Sequence, residues 1–289
     1  MNHDRAYVSL LIRPDEIQPE QIPDTLADAL ETNAVNYRYC VKAIPPCILL
    51  SLADTDAVAA VNALRKLSCV AFAPTKQDLI DLGPTLKVKD MRRSSDGIVF
   101  GLWRNEETHI IQPDDIEVVI RAKMMDEKKS PTSGGASIGV AATAMTGFAA
   151  MSIAGGWGFG GSYGIAAGLY RSNSLFADSA LDIGIRIHAK LDIHTKNGNV
   201  YQIDGDQFGF DILGEKKGYS DNVNIDQMCE LFTKLSPNAA IDPYFKYFKP
   251  PPGHESLRIP NRSFNKDDPT FAFYSRWAAL MYRYIAQSA

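Results

Sequence analysis

The chain has 289 residues, 45% of them apolar, and 30 Lys and Arg against 34 Asp and Glu, for a formal net charge of −4. That length provides for two domains with a sizeable core, and the charge excludes a generally basic nucleic-acid binder. Cys40, Cys47, Cys69 and Cys229 form no C-x-x-C pair and have no His at zinc-finger spacing, so reduced thiols are expected.

The first thirteen residues lack the basic, apolar and small-residue regions of a secretory signal, which points to a cytoplasmic protein. Tyr7 to Ile12 reads as a strand. Ile22, Leu26, Ala29 and Leu30 mark one helix face. Val35 to Val41 reads as a second strand, broken by Pro45-Pro46, and Cys47 to Leu52 as a third. Asp54 is the expected cap of a helix carrying Val58, Val61, Leu64 and Leu67, and Cys69 to Phe72 is a fourth strand. The order is β-α-β-β-α-β, a ferredoxin-like βαββαβ domain over residues 1–76. Residues 77–84 connect it to a second, β-rich domain.

Leu86 to Asp90, Ile98 to Trp103, Thr108 to Ile111 and Ile116 to Ile120 are strand-like, with a polar turn from Arg92 to Gly97. Further on, Leu181, Ile183, Ile185 and Ile187 alternate with polar residues, and Leu191 and Ile193 continue that face. Asn197-Gly198 is a hairpin turn leading to Val200–Ile203. Asp204-Gly205-Asp206 turns again, and Phe208 to Leu213 reads as one more strand. A helix with an Asn224/Gln227 capping box presents Ile225, Met228, Cys229, Phe232 and Leu235, and stops at Ser236-Pro237. Six or seven strands and one helix, over 85–129 plus 171–248, suggest an α+β chain whose second domain is a small β-barrel or roll of pleckstrin-homology type. Residues 249–270 form a Pro-rich, polar loop, and 271–289 an amphipathic helix expected to dock on the body rather than lie at a lipid interface.

Between the two groups of strands, 130–170 form an uncharged Gly/Ala-rich insertion. No residue from Ser130 to Tyr170 carries a charge, and eleven of the 21 glycines fall between Gly134 and Gly168. Gly156, Gly160, Gly164 and Gly168 recur every fourth residue, which on a helix leaves a bare stripe that a second backbone can approach. Ile138, Phe148, Trp157 and Phe159 are among the large apolar groups that a solvated linker has no use for. Three readings stay open: a hairpin entering a membrane, a contact between subunits, and a flexible linker.

Basic residues flank the insertion: Arg121, Lys123, Lys128 and Lys129 before it, Arg171 after it. Cationic groups at both ends favour a hairpin with both ends on the cytoplasmic side, where Lys128, Lys129 and Arg171 attract anionic headgroups. Crossing about 30 Å of hydrocarbon takes about 20 helical residues, so a re-entrant or interfacial hairpin fits the span better than two crossings.

Catalytic and metal patterns are weak. His188 and His194 share a strand face but lie about 20 Å apart at strand rise, too far for one ion. The aspartates around Gly205 lack the spacing of a calcium loop. No phosphate loop, nucleophile elbow or triad pattern stands out, and His109 and His254 have no local partner. No cofactor or metal is expected.

The Gly156–Gly168 run resembles the glycine-zipper hairpins of some bacterial membrane-associated proteins, which implies contact with a membrane or with another copy of the chain. Ile203-Asp204-Gly205-Asp206-Gln207-Phe208-Gly209-Phe210-Asp211 and Gly218-Tyr219-Ser220-Asp221 resemble part of a bacterial family of unknown function, which implies no activity. The reading is a non-enzymatic interaction or scaffold protein at the membrane surface. The alternatives are a soluble homo-oligomer joined through the Gly/Ala segment, and a small-molecule binder or enzyme.

Overall fold

A computed structural model describes residues 5–103, 107–127, 185–248, 250 and 269–288. These residues build a three-stranded antiparallel sheet with helices, a seven-stranded mixed sheet, and a C-terminal helix.

The small sheet comprises β1 (Arg5–Ile12), β2 (Cys47–Ala53) and β3 (Val70–Phe72), in the order β2-β1-β3. Both partners run antiparallel to β1. β1 is buried on both faces, which is why it reads as a continuous apolar run. Its side chains divide with the strand period of two. Ala6, Val8 and Leu10 pack with Ile22 and Leu26 of α1 (Gln21–Ala29) and with Ala57, Val61 and Leu64 of α2 (Asp54–Lys66). Tyr7 and Leu11 point the other way, into a second core.

The strand expected at Val35–Val41 is instead a 3₁₀ segment, Ala34–Lys42. Asn33 opens it by accepting the Val35 N–H at 2.9 Å. Tyr37 and Cys40 are its buried residues, three apart, the spacing that eclipses on a 3₁₀ turn. The β-α-β-β-α-β order is therefore short of one strand. Asp54 is the first residue of α2 rather than its cap, and Val58 faces solvent. A short helix, α3 (Lys76–Asp81), comes next with a reciprocal cap: Asp78 N–H donates to Thr75 Oγ1 at 3.1 Å, and Thr75 N–H to Asp78 Oδ2 at 2.7 Å.

The large sheet takes β4 (Thr85–Ser94), β5 (Gly97–Leu102), β6 (Thr108–Ile111), β7 (Ile116–Glu127), β8 (Ile185–Thr195), β9 (Val200–Asp204) and β10 (Ala240–Asp242) in the order β10-β7-β8-β9-β4-β5-β6. β10 runs parallel to β7 and β4 parallel to β9. The β8–β9 hairpin closes as expected on Gly198, whose φ of 85° suits the turn. One face carries Val88, Phe100, Leu191, Ile193 and Ile203 against Ile225, Met228 and Phe232 of α4 (Asp221–Leu235).

No closed barrel forms among the described residues, because β6 and β10 remain as edges. The sheet is nevertheless rolled. Only Gln112 to Asp115 separate β6 from β7. Five Cα steps reach at most about 19 Å, whereas five strand spacings in a flat sheet measure about 24 Å. Two other expectations are corrected. Phe208–Leu213 is not a strand, since Phe210–Lys216 forms a 3₁₀ segment. The cap of α4 is Ser220, whose Oγ accepts the Val223 N–H at 3.3 Å, while Asn224 lies inside the helix and accepts the Gly218 N–H at 2.6 Å. β10 has no counterpart in the sequence reading.

The last helix, α5 (Pro269–Ser288), docks on the body. Phe271, Tyr274, Trp277 and Met281 meet Tyr7, Leu11 and Phe72 of the small sheet, and Val118, Ile120 and Met124 of β7. Trp277 is 1% exposed, so it does not reach a lipid interface. The chain divides into two units, Met1–Met124 with His188–Ala289, and Met125–Ile187.

Candidate functional site

Gly156, Gly160, Gly164, Gly168, Ile138, Phe148, Trp157 and Phe159 lie outside the described residues, as do Lys128, Lys129 and Arg171. The strands that the insertion joins are described. β7 and β8 are sheet neighbours, and the Lys196 N–H just past β8 donates to the Asp115 carbonyl just before β7 at 2.8 Å. The start of one strand thus adjoins the end of the other, and the two run in opposite directions. Among the described residues, no helix is long and apolar enough to cross a membrane.

Two of the flanking cations are engaged inside the fold. Arg121 and Lys123 both reach Asp226 on α4, Arg121 through Nη1 to Oδ1 and Lys123 through Nζ to Oδ2 at 3.0 Å. Arg121 is buried, and burial lowers the Lys123 ammonium from its ordinary range, with Asp226 opposing the shift. These two residues are therefore not free for headgroups. The sequence signal for the pairing was available only in part, because Asp226 lies 105 positions from Arg121.

The densest polar cluster lies along β8. His188, Lys190, Asp192 and His194 occupy the face opposite Leu191 and Ile193, and all four are buried. His188 Nδ1 lies 2.6 Å from Asp206 Oδ2, Lys190 Nζ lies 3.9 Å from Asp204 Oδ2, and Gln202 donates to Asp192 Oδ1 at 2.9 Å. Lys190 and Asp204, and Asp192 and Gln202, are cross-strand partners in register. Gly205 holds the Asp204–Asp206 turn close to β8: its N–H meets the Ala189 carbonyl at 2.9 Å, and a Cβ there would sit 2.9 Å from the same oxygen.

At the other end of the row, His194 Nε2 is 2.8 Å from Ser275 Oγ on α5. The Ser275 hydroxyl also bonds Asp192, and burial pushes that carboxyl up while Ser275, Gln202, Lys190 and Arg276 oppose it. His194 is held neutral, lowered to about 3 by burial first and then by Arg283 and Arg276. In a hydrolytic triad the imidazole stands between serine and carboxylate. Here the hydroxyl stands between carboxylate and imidazole, and Ser275 is fully buried. The order of groups and the lack of access suit a structural network that fixes α5 to the sheet. The six-residue separation keeps His188 and His194 on different partners.

The remaining candidates are dispersed. His109 Nδ1 lies 2.8 Å from the Tyr201 hydroxyl, a long-range partner that its own neighbourhood did not reveal; His254 lies outside the described residues. The four cysteines are free thiols, and burial pushes Cys40, Cys47 and Cys229 up to about 12, away from nucleophilic use at neutral pH. Among the described residues, no three His, Cys, Asp or Glu groups gather to hold a metal ion. A shallow groove of about 540 Å³ runs past Arg65, Phe72, Asp78 and Tyr284, and its lining contains no His, Cys or Ser. Compared with protein-family models, curated proteins and solved structures, the chain matches none.

Proposed function

We propose that this chain is a non-enzymatic interaction or scaffold protein held at the cytoplasmic face of a membrane by its uncharged insertion. The observation that carries the reading is the stretch Ser130–Tyr170, uncharged, glycine-repeated, rich in large apolar groups, and bounded by Lys128, Lys129 and Arg171. Support comes from the strands on either side of it. Because β7 and β8 are antiparallel neighbours, the insertion leaves and rejoins the same sheet between adjacent strands, as a hairpin requires. Positive charge near both ends then favours a cytoplasmic location for each.

In this reading the small sheet is a ferredoxin-like domain short of one edge strand, and the rolled sheet with α4 is an open relative of the pleckstrin-homology roll. Such folds host many functions and do not choose among them. The buried polar row on β8 would serve the scaffold by holding α5 in place.

Alkaline carbonate extraction of membranes from cells expressing the chain tests the proposal. Retention in the membrane pellet is expected, with release when 130–170 are replaced by a short polar linker. Complete release of the intact chain, together with full solubility without detergent, would overturn it. If the linker replacement instead reduces the oligomer size in light scattering, the glycine stripe joins copies of the chain.

A further inference from the structure

We propose that Ala34–Lys42 is a two-state element, a 3₁₀ segment that refolds into a strand along the outer edge of β2 and completes the small sheet from within the chain. The segment is nine residues long, whereas 3₁₀ hydrogen bonds are poorly aligned and runs beyond three or four residues are uncommon. Its letters satisfy two periods. Ala34, Tyr37, Cys40 and, just past its end, Ala43 recur every third residue, and all four pack on the core shared with α1 and α2. Val35, Tyr37, Tyr39 and Val41 recur every second residue, with Asn36, Arg38 and Cys40 between them, the alternation of a half-buried strand. The 3₁₀ state uses the first set and leaves part of the second in water: Val35 is 56% exposed and Tyr39 43%.

The place for the strand is at hand. Among the described residues, β2 is the edge of its sheet, with β1 on its other side. Apart from a register shift at Leu49, it carries none of the devices that blunt a bare edge: no charge and no proline from Cys47 to Ala53. The chain geometry fits. With Val41 paired antiparallel to Cys47, residues 42–46 form a five-residue hairpin loop, and the exposed Ile44 is its tip. Tyr39 then falls opposite Leu49, whose carbonyl already accepts the Tyr39 hydroxyl at 3.2 Å. Val35 falls opposite Ala53, and residues 30–34 join α1 to the strand, an ordinary length for such a connection. A strand antiparallel to β2 is parallel to β1, which is the missing member of the βαββαβ order. Tyr37 keeps its place on the core side in both states. In the strand state Val35, Tyr39 and Val41 join it there and Cys40 leaves, so apolar surface is exchanged rather than simply gained. That exchange, together with the loss of one hydrogen-bond ladder and the gain of another, keeps the two states close in free energy.

The test is chemical-exchange saturation transfer NMR on the full chain, which reports sparsely populated states on the millisecond scale. A minor state is expected in which residues 35–41 take extended-strand shifts and the amides of β2 exchange with the same rate and population. Asn33→Ala removes the acceptor of the Val35 N–H, which caps the 3₁₀ state, and should raise that population about fivefold. Val35→Asp places a carboxylate where the 3₁₀ state meets water and the strand state does not, and should abolish the exchange. Val35 is exposed, so the thermal midpoint of this variant should stay within a degree or two of the parent. Exchange absent from both the parent and Asn33→Ala overturns the proposal. So does a minor state with the shifts of an unfolded segment, one that leaves β2 unaffected, or one that persists in Val35→Asp. A minor-state population that grows with protein concentration assigns the edge to a second copy of the chain and likewise overturns it. None of these readouts involves the insertion, so the membrane reading stands or falls separately.

Discussion

Trp277 donates its indole N–H to Ser9 Oγ at 2.9 Å, joining residues 268 positions apart. Ser9 Oγ in turn donates to the Tyr7 carbonyl at 2.9 Å, so the bond reaches into the backbone of β1. The same helix touches the large sheet through Ser275, Tyr274 and Arg283. Trp277→Ala should therefore cost about 3–5 kcal/mol through the void it leaves. Ser9→Ala should cost about 1 kcal/mol. In urea titrations, circular dichroism and protease resistance should shift together for Trp277→Ala, because α5 closes the core of both sheets. A first transition confined to the small sheet would contradict this coupling.

Acid should loosen the seat of α5. His194 has a folded-state pKa of about 3, below the ordinary value of 6.5, so the unfolded chain binds its proton more readily. Its contribution is intact above the unfolded pKa and is lost as pH falls from about 6.5 toward 3. Between pH 7 and pH 5 that amounts to about 2 kcal/mol. Asp192 acts with the opposite sign, because its raised pKa makes the folded state hold a proton longer as pH rises. The difference between the parent and His194→Gln isolates the histidine: the variant's unfolding free energy should be flatter between pH 5 and 7, by urea titration at each pH.

Asp226 is the shared anion for Arg121 and Lys123. Asp226→Ala leaves one buried and one half-buried cation without that partner, and should cost about 2 kcal/mol, reduced from the fully buried case because Asp226 is partly solvated. Asp226→Asn keeps hydrogen-bond acceptance and should lose about half as much. Thermal unfolding of the two variants measures the order.

Arg276 closes the end of α3. Its guanidinium donates to the Leu79 carbonyl and to the Gly83 carbonyl, each at 2.7 Å. Helix ends leave such carbonyls without partners in the helix itself. Arg276→Ala should cost about 2 kcal/mol and open the segment near Gly83 to proteolysis. Lys should restore only part of the loss, since one ammonium cannot reproduce the two-pronged geometry.

Much of the fold was legible where a single period dominated. β1, β2 and β5 read as short β-favouring apolar runs, the β8–β9 hairpin carries the strand period openly, and Leu26, Leu64 and Phe232 fall on helical faces as read. The failures came where two periods explained the same letters. Val35–Val41 alternates large and polar groups, yet the burial of Tyr37 and Cys40 obeys a three-residue turn. Phe208 and Phe210 look like strand residues, and their rings pack edge to face 5.0 Å apart at the start of a 3₁₀ segment. β10 is three residues long and pairs only with a distant strand, so no local pattern marks it.

The polar face of β8 shows a different limit. Alternation sets Lys190 and Asp192 on the face away from Leu191 and Ile193, but it reports that two faces differ and not that one is wet. What covers that face is α5, whose Ser275 supplies the matching group from 81 positions away. Arg121 and Lys123 misled in the same way: their charge was visible, and the carboxylate that occupies them was not adjacent. The uncharged segment 130–170, by contrast, is marked by composition alone and lies outside the described residues.

The seat of α5 also sets the timetable of synthesis. Tyr7 and Leu11 are made well before their packing partners in 269–288. At about 5–20 residues per second, the apolar side of the first sheet waits on the order of tens of seconds at the ribosome before the helix that covers it exists. During that interval the nascent chain presents an uncovered apolar face, the kind of surface through which incomplete chains aggregate.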